Sequence, residues 1–256
     1  MSYQFFEVNH ENGTAWVHIN RTEKRNALCR VLLEEAIGIF HNLGDDPAVR
    51  VIVLTGNGKT FVAGADIQEM STMTSLDYLE YGKIYSTLNS AVRDNPKPVI
   101  GAINGVAFGG GTILALSCDI LVASEHAKFA LPEIHLGIFG GGALMPKLVG
   151  RYRASEMILT GEAYSAADAF SMGFVNKVVA AEKLYETTRE LAEKIQTKSP
   201  SAVKLAKQAI LNGFYYDFHS ATNYQQALMA VLYGGHDQKE GMDAFLNKRT
   251  PVFTGK

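Results

Sequence analysis

The sequence predicts an α/β protein with parallel strand pairing, on three observations. Residues 49–55 and 99–103 are short, continuous runs rich in Val and Ile, as expected of strands buried on both faces of a parallel sheet. Helix-patterned stretches alternate with such runs across short connections. The chain has 256 residues, 47% of them hydrophobic. That is enough for one large core, which at this length buries about 70% of the unfolded surface, together with an appendage.

The elements follow in order. Asn12-Gly13 signals a turn, and residues 14–19 alternate around Trp16 and His18 as a strand does. Asn26 stands in the place of a helix cap, before Leu28, Val31, Leu32, Ala36, Ile39, Phe40 and Leu43 at helical spacing. Gly44-Asp45-Asp46-Pro47 stops that helix. The strand at 49–55 leads to residues 61–66, which read as a loop. Residues 76–93 carry a rough apolar stripe and read as a helix that Asn95-Pro96-Lys97-Pro98 breaks. A strand at 99–103 then precedes a glycine-rich turn and a helical run through Leu116. Residues 120–123 and 128–130 are further strands, and no strand-like run follows Val179. Residues 182–196, 202–212, 223–233 and 238–247 read as helices, with Ser199-Pro200 as a start and Gly213 as a stop. The division expected is a core over 1–198 and a helical region over 199–256.

Composition excludes several classes. Lys plus Arg is 24 and Asp plus Glu is 26, a net charge of −2, so the basic footprint of a nucleic-acid binder is missing. Two cysteines, Cys29 and Cys118, argue against a disulfide scaffold and for a reducing compartment. No basic segment followed by a long apolar stretch opens the chain, and no apolar run approaches the ~20 residues of a membrane span. A cytoplasmic protein without membrane contact is therefore expected.

Familiar motifs fail. Gly58-Lys59-Thr60 looks like the end of a phosphate-binding loop, but Val53 occupies the place of its first glycine. No Gly-x-Gly-x-x-Gly stands at a strand-to-helix junction, and neither His-Glu-x-x-His nor Cys-x-x-Cys occurs, so no metal is expected. Two loops remain, residues 61–67 and 104–112. Small residues running into a helix present free backbone N–H groups at its positive end. Two such loops facing one cleft can hold an oxyanion, each donor contributing about 2.7–4 kcal/mol in the transition state.

The motifs together resemble the crotonase superfamily, the enoyl-CoA hydratase/isomerase family. They run from Glu23-Lys24-Arg25-Asn26-Ala27-Leu28 through Ala63-Gly64-Ala65-Asp66-Ile67, Asn95-Pro96-Lys97-Pro98, Asn104-Gly105, Gly109-Gly110-Gly111 and Cys118-Asp119-Ile120. Pro132-Glu133, Leu136-Gly137, Leu159-Thr160-Gly161 and Arg249-Thr250-Pro251-Val252-Phe253 complete the set, which spans nearly the whole chain. The resemblance implies a spiral of β-β-α turns with a C-terminal helical region that builds homotrimers or dimers of trimers. It implies an acyl-CoA thioester substrate and no separate cofactor. The N–H groups of Ala65 and Gly110 fall at the oxyanion hole. Arg25, Ala27, Ala63, Asp66 and Ile67 fall where the family holds CoA.

One position departs from the hydratase pattern. The family's hydratases carry a glutamate just after the Gly-Gly-Gly turn and a second after a proline in the next loop. Here the first position is Ile113, and only Glu133 is present. Hydration needs two groups to hold and activate water, whereas shifting a double bond needs one carboxylate that removes a proton and returns it. A 3-enoyl to 2-enoyl isomerase with Glu133 as single acid/base is therefore expected. An enoyl-CoA hydratase and a catalytically weak acyl-CoA binding paralogue are the alternatives. His135 stands as a second acid/base candidate, although a lone loop histidine is more often structural. Tyr78, Tyr81 and Tyr85 lie on the segment that walls the family's acyl pocket, and each reads first as half-buried helix packing. Gly140-Gly141-Gly142 reads as a helix start along the same pocket.

Overall fold

The computed structural model describes residues 3–256. The N-terminal stretch read above begins with Met1 and Ser2, which lie outside the described residues. The strands are β1 (Phe6–Glu11), β2 (Thr14–Ile19), β3 (Val51–Gly56), β4 (Thr60–Val62), β5 (Val99–Ile103), β6 (Val106–Phe108), β7 (Ile120–Ser124), β8 (Lys128–Ala130), β9 (Tyr164–Ser165) and β10 (Lys177–Val179). The helices are α1 (Arg30–Asp45), α2 (Ile67–Met70), α3 (Ser75–Arg93), α4 (Gly110–Ala115), α5 (Met145–Val149), α6 (Arg151–Thr160), α7 (Ala166–Ser171), α8 (Leu184–Gln196), α9 (Pro200–Tyr215), α10 (Phe218–Tyr233) and α11 (His236–Leu246).

Two sheets form. One has the order β1-β2-β3-β5-β7-β10, the other β4-β6-β8-β9. Among the described residues, only the β1/β2 and β8/β9 pairs are antiparallel; the remaining pairs are parallel. The pairs β3-β4, β5-β6 and β7-β8 each give one strand to either sheet before the chain moves on, so the chain winds as a β-β-α spiral. Every residue of β3 and β5 is buried, which explains their uncharged composition rich in Val and Ile. The apolar stripe of α1 (Leu32, Leu33, Ala36, Ile39, Phe40, Leu43) packs into the same core. Leu184 and Ala192 of α8 cover the other face of the larger sheet against Trp16, Val53 and Val122.

The C-terminal helices reach the spiral through an ion pair whose lysine is buried. Lys207 of α9 sits 2.7 Å from Asp119 at the start of β7 and also donates to the Lys97 carbonyl. Among the described residues, no helix is long and apolar enough to cross a membrane.

Several local expectations need correction. Asn26 caps no helix: α1 begins at Arg30, after Cys29 in the N-cap position. Asn26 is instead fully buried, with positive φ, and ties its loop to the Asn57 and Thr60 carbonyls. Residues 61 and 62, read as loop, belong to β4, which pairs with β6. Gly213 does not stop α9, which runs on to Tyr215. Strand β3 begins at Val51 rather than at 49. After the 140–142 glycines, helix α5 starts only at Met145.

Candidate active site

The carboxyl ends of β4 and β6 bring the two glycine-containing loops side by side. Backbone bonds from Leu28 N–H to Gly64 O and from Asp66 N–H to Leu28 O, both 2.8 Å, bracket Ala65. Gly109 N–H is taken by Ala130 O at 2.8 Å, and α4 starts at the next residue. Among the described residues, neither the Ala65 nor the Gly110 N–H finds an acceptor. Both residues line one cavity of about 400 Å³.

Glu133 enters this cavity from the short 3-10 turn Pro132–Leu136. It is the only carboxylate among the lining residues. Its Oε2 is buried without a hydrogen-bond partner. Burial pushes the carboxyl above its ordinary range, against the opposing pull of its own backbone N–H. Such a group is poised to take a proton from carbon.

Two glycines make room for it. A Cβ at Gly109 would stand 2.9 Å from Glu133 Oε1, and Gly109 also needs φ +53, a region that favours glycine. A Cβ at Gly140 would stand 2.6 Å from the same oxygen. Gly140→Ala should therefore displace the carboxyl and lower kcat about a hundredfold, the effect expected of a ~1 Å misplacement. Steady-state kinetics beside a melting curve that stays close to wild type would establish it.

Ile113 stands one helical turn beyond Gly109 and lines the cavity with its side chain packed on the core. The rest of the wall is mostly apolar and aromatic. Tyr78, Tyr81 and Tyr85 all line it, so the sequence reading of mere helix packing understates them. A capping box of Thr74 and Asp77 starts the helix that carries them. His135 is not brought to the site. It is exposed, and its ring lies against Gly161 after α6.

Of the other expected contacts, two line the cavity, while Arg25, Ala27 and Asp66 are not among its lining residues. Ala63 and Ile67 line the cavity, and Ile67 is half exposed. Exposed Arg25 accepts Ala63 N–H at its carbonyl (3.1 Å), while the Ala27 carbonyl is taken by Arg21. Asp66 spends its side chain on the protein: it pairs with Arg21 at 2.8 Å and caps α2 through Gln68 and Glu69 N–H. Burial alone would raise its pKa, but Arg21 and the cap bonds bring it below the usual range. Arg21 was not singled out from sequence, and nothing in its local pattern marks it.

The β-β-α spiral, with two unpaired N–H groups and a buried carboxylate in one cavity, has the form of a crotonase-type enzyme. The model of the enoyl-CoA hydratase/isomerase family matches residues 9–256. A crotonyl-CoA hydratase of Syntrophomonas wolfei is 38% identical over 260 residues and is covered, like this chain, in full. A short-chain-enoyl-CoA hydratase of Clostridium acetobutylicum is 40% identical over 243 residues, 93% of either chain. The crystal structure of an enoyl-CoA hydratase from Bacillus anthracis superposes with a TM-score of 0.94 at 38% identity, covering 99% of this chain and 100% of that one. The chain belongs to the enoyl-CoA hydratase/isomerase family.

Proposed function

We propose that this enzyme moves the double bond of an enoyl-CoA, from the 3-enoyl to the 2-enoyl thioester. The observation that carries this reading is a single buried carboxylate, Glu133, sharing its cavity with the apolar Ile113. Glu133 takes a proton from C2 of the 3-enoyl group. The electron pair delocalises onto the thioester oxygen, where the Ala65 and Gly110 N–H groups receive it. The same carboxyl then returns the proton at C4, so the double bond moves and nothing is gained or lost. Arg25, Ala27, Ala63, Asp66 and Ile67 hold the CoA portion, largely through backbone. CoA is part of the substrate, and the reaction as written calls for no cofactor. The exposed apolar side chains of Phe218, Phe245 and Leu246 on α10 and α11 support assembly as a homotrimer or dimer of trimers.

Hydration of a 2-enoyl-CoA is the second reading. The relatives compared above bear hydratase names, and this favours hydration over the isomerase reading that the sequence put first. What speaks against it is chemical. A water between Glu133 and Ile113 has one carboxylate to activate it and no second group to hold it.

The two readings separate with two substrates. Given 3-hexenoyl-CoA and crotonyl-CoA in turn, the enzyme should conjugate the first and hydrate the second at least about a hundredfold more slowly, the weight of one acid/base group. The isomerisation rate should fall as pH drops through the raised pKa of Glu133, because only the ionised carboxyl accepts the proton. Fast hydration of crotonyl-CoA would overturn the isomerase reading, and binding of both thioesters without turnover would leave an acyl-CoA binding protein.

A further inference from the structure

Helix α3 reaches the surroundings of both unpaired N–H groups through two tyrosines four residues apart, one bonded to the Gly110 turn and one to Leu28, the residue paired with the Ala65 loop. Tyr81 donates to the Leu28 carbonyl at 3.1 Å. Leu28 is the residue whose N–H and C=O bracket Ala65 through Gly64 and Asp66. Tyr85 donates to the Gly110 carbonyl at 2.7 Å. Its ring also closes the space beside Gly110, where a Cβ would stand 3.5 Å from Cε2. Residues four apart on a helix lie on one face about 5–6 Å from each other. The two hydroxyls are thus held at a fixed spacing by one rigid element.

We propose that Tyr81 and Tyr85 are positioning residues that set the separation of the Ala65 and Gly110 N–H groups, and so the fit of those two donors to one thioester oxygen. The inference rests on the oxyanion reading given above.

The chemistry of the pair supports positioning over proton transfer. Each hydroxyl has one proton, and each gives it to a backbone carbonyl. Burial raises both phenols above their ordinary range, so they stay neutral and keep donating. The helix is itself anchored to α4 a turn further on. Asn89 donates to the Tyr85 carbonyl and accepts from Ser117, just past the end of α4, at 3.1 Å. Three hydrogen bonds therefore tie α3 to Leu28 beside the Ala65 loop, to the Gly110 turn and to the segment after α4, while the Asn89–Tyr85 bond lies within the helix. No such bond runs directly between the Ala65 and Gly110 residues. Their separation is transmitted through the third element.

Tyr81→Phe and Tyr85→Phe keep the rings and delete the donors. The readout is the infrared stretch of the thioester carbonyl in bound hexanoyl-CoA labelled with ¹³C at that carbon. It is measured well below the unfolding midpoint of each variant, beside kcat and KM for 3-hexenoyl-CoA. Wild type should shift the bound carbonyl to lower frequency than in free ligand. Each Phe variant should lose a clear part of that shift and about tenfold in kcat, a fraction of the 10²–10³ that a whole donor is worth. KM should change less than about threefold, because the aromatic wall is intact. A wild-type shift retained in full by both variants would overturn the positioning role, even if their melting temperatures fall. No shift in wild type would instead refute the oxyanion reading itself.

Discussion

Glu133→Gln should lower isomerisation of 3-hexenoyl-CoA about a thousandfold or more, within the range for a lost general base that is also the returning acid. Glutamine has the shape of glutamate and fits between Gly109 and Gly140, so affinity for a saturated acyl-CoA should change little. The same substitution has a second consequence, in stability. Burial holds the Glu133 carboxyl above the ordinary 4.5. The folded chain then binds that proton more tightly than the unfolded chain does. Between 4.5 and the raised value, stability falls as pH rises, and at neutral pH the ionised group, with its unpartnered Oε2, destabilises the fold. Glu133→Gln should therefore melt no lower than wild type at pH 7, and the difference should shrink as pH falls toward 4.5. Kinetics and melting curves across pH test both halves. An active variant would remove Glu133 from the chemistry. An inactive variant with a lowered melting point would make its role structural.

This opposition between stability and activity is a signature of a functional carboxylate. It also bears on what a sequence can disclose. The central strands are legible because parallel strands buried on both faces are written as uncharged runs rich in Val and Ile, as in β3 and β5. The capped start of α9 at Ser199-Pro200 is legible for a similarly local reason. Strands β6 and β9 are not, because β6 lies within the glycine-rich stretch 105–111, which reads as a turn, and β9 has only two residues. Residues 145–171 hold three short helices, of which α7 is announced by a Ser165/Asp168 capping box that the apolar pattern overshadows. Asn26 misleads because asparagine suits a helix cap and a positive-φ loop equally well, and only the distant carbonyls of Asn57 and Thr60 decide between them.

The site divides the same way. Ala65, Gly110, Ile113 and Glu133 line one cavity, and each sits in a motif visible in the sequence. His135 is two residues from Glu133, and its side chain turns to the opposite side of the 3-10 segment, toward Gly161. Neither the Arg21–Asp66 pair nor the bonds of Tyr81 and Tyr85 can be read from spacing. They join residues 45, 53 and 25 apart, and exist only once the spiral has closed.

Ile113→Glu should give the enzyme a hydratase activity on crotonyl-CoA about a hundredfold or more above wild type. The side chain at 113 lines the cavity that holds Glu133, one turn from the Gly109 against which that carboxyl rests. A second carboxyl there supplies what the wild-type cavity lacks, a second group to hold and activate the water. The two carboxyls would titrate as a coupled pair, with one proton held up to higher pH. Hydration should therefore show a bell-shaped pH dependence, one group acting as base and the other as acid. The substitution also removes a half-buried apolar side chain that packs on the core, at a cost of about 1–3 kcal/mol. A lowered melting temperature is thus expected alongside the gained activity. Ile113→Gln separates polarity from proton transfer: it can hold a water but cannot titrate, so it should destabilise similarly and hydrate no faster than wild type. If wild type already hydrates crotonyl-CoA as fast as the glutamate variant, Ile113 is not what limits the reaction, and the chemistry of this cavity is that of its hydratase relatives.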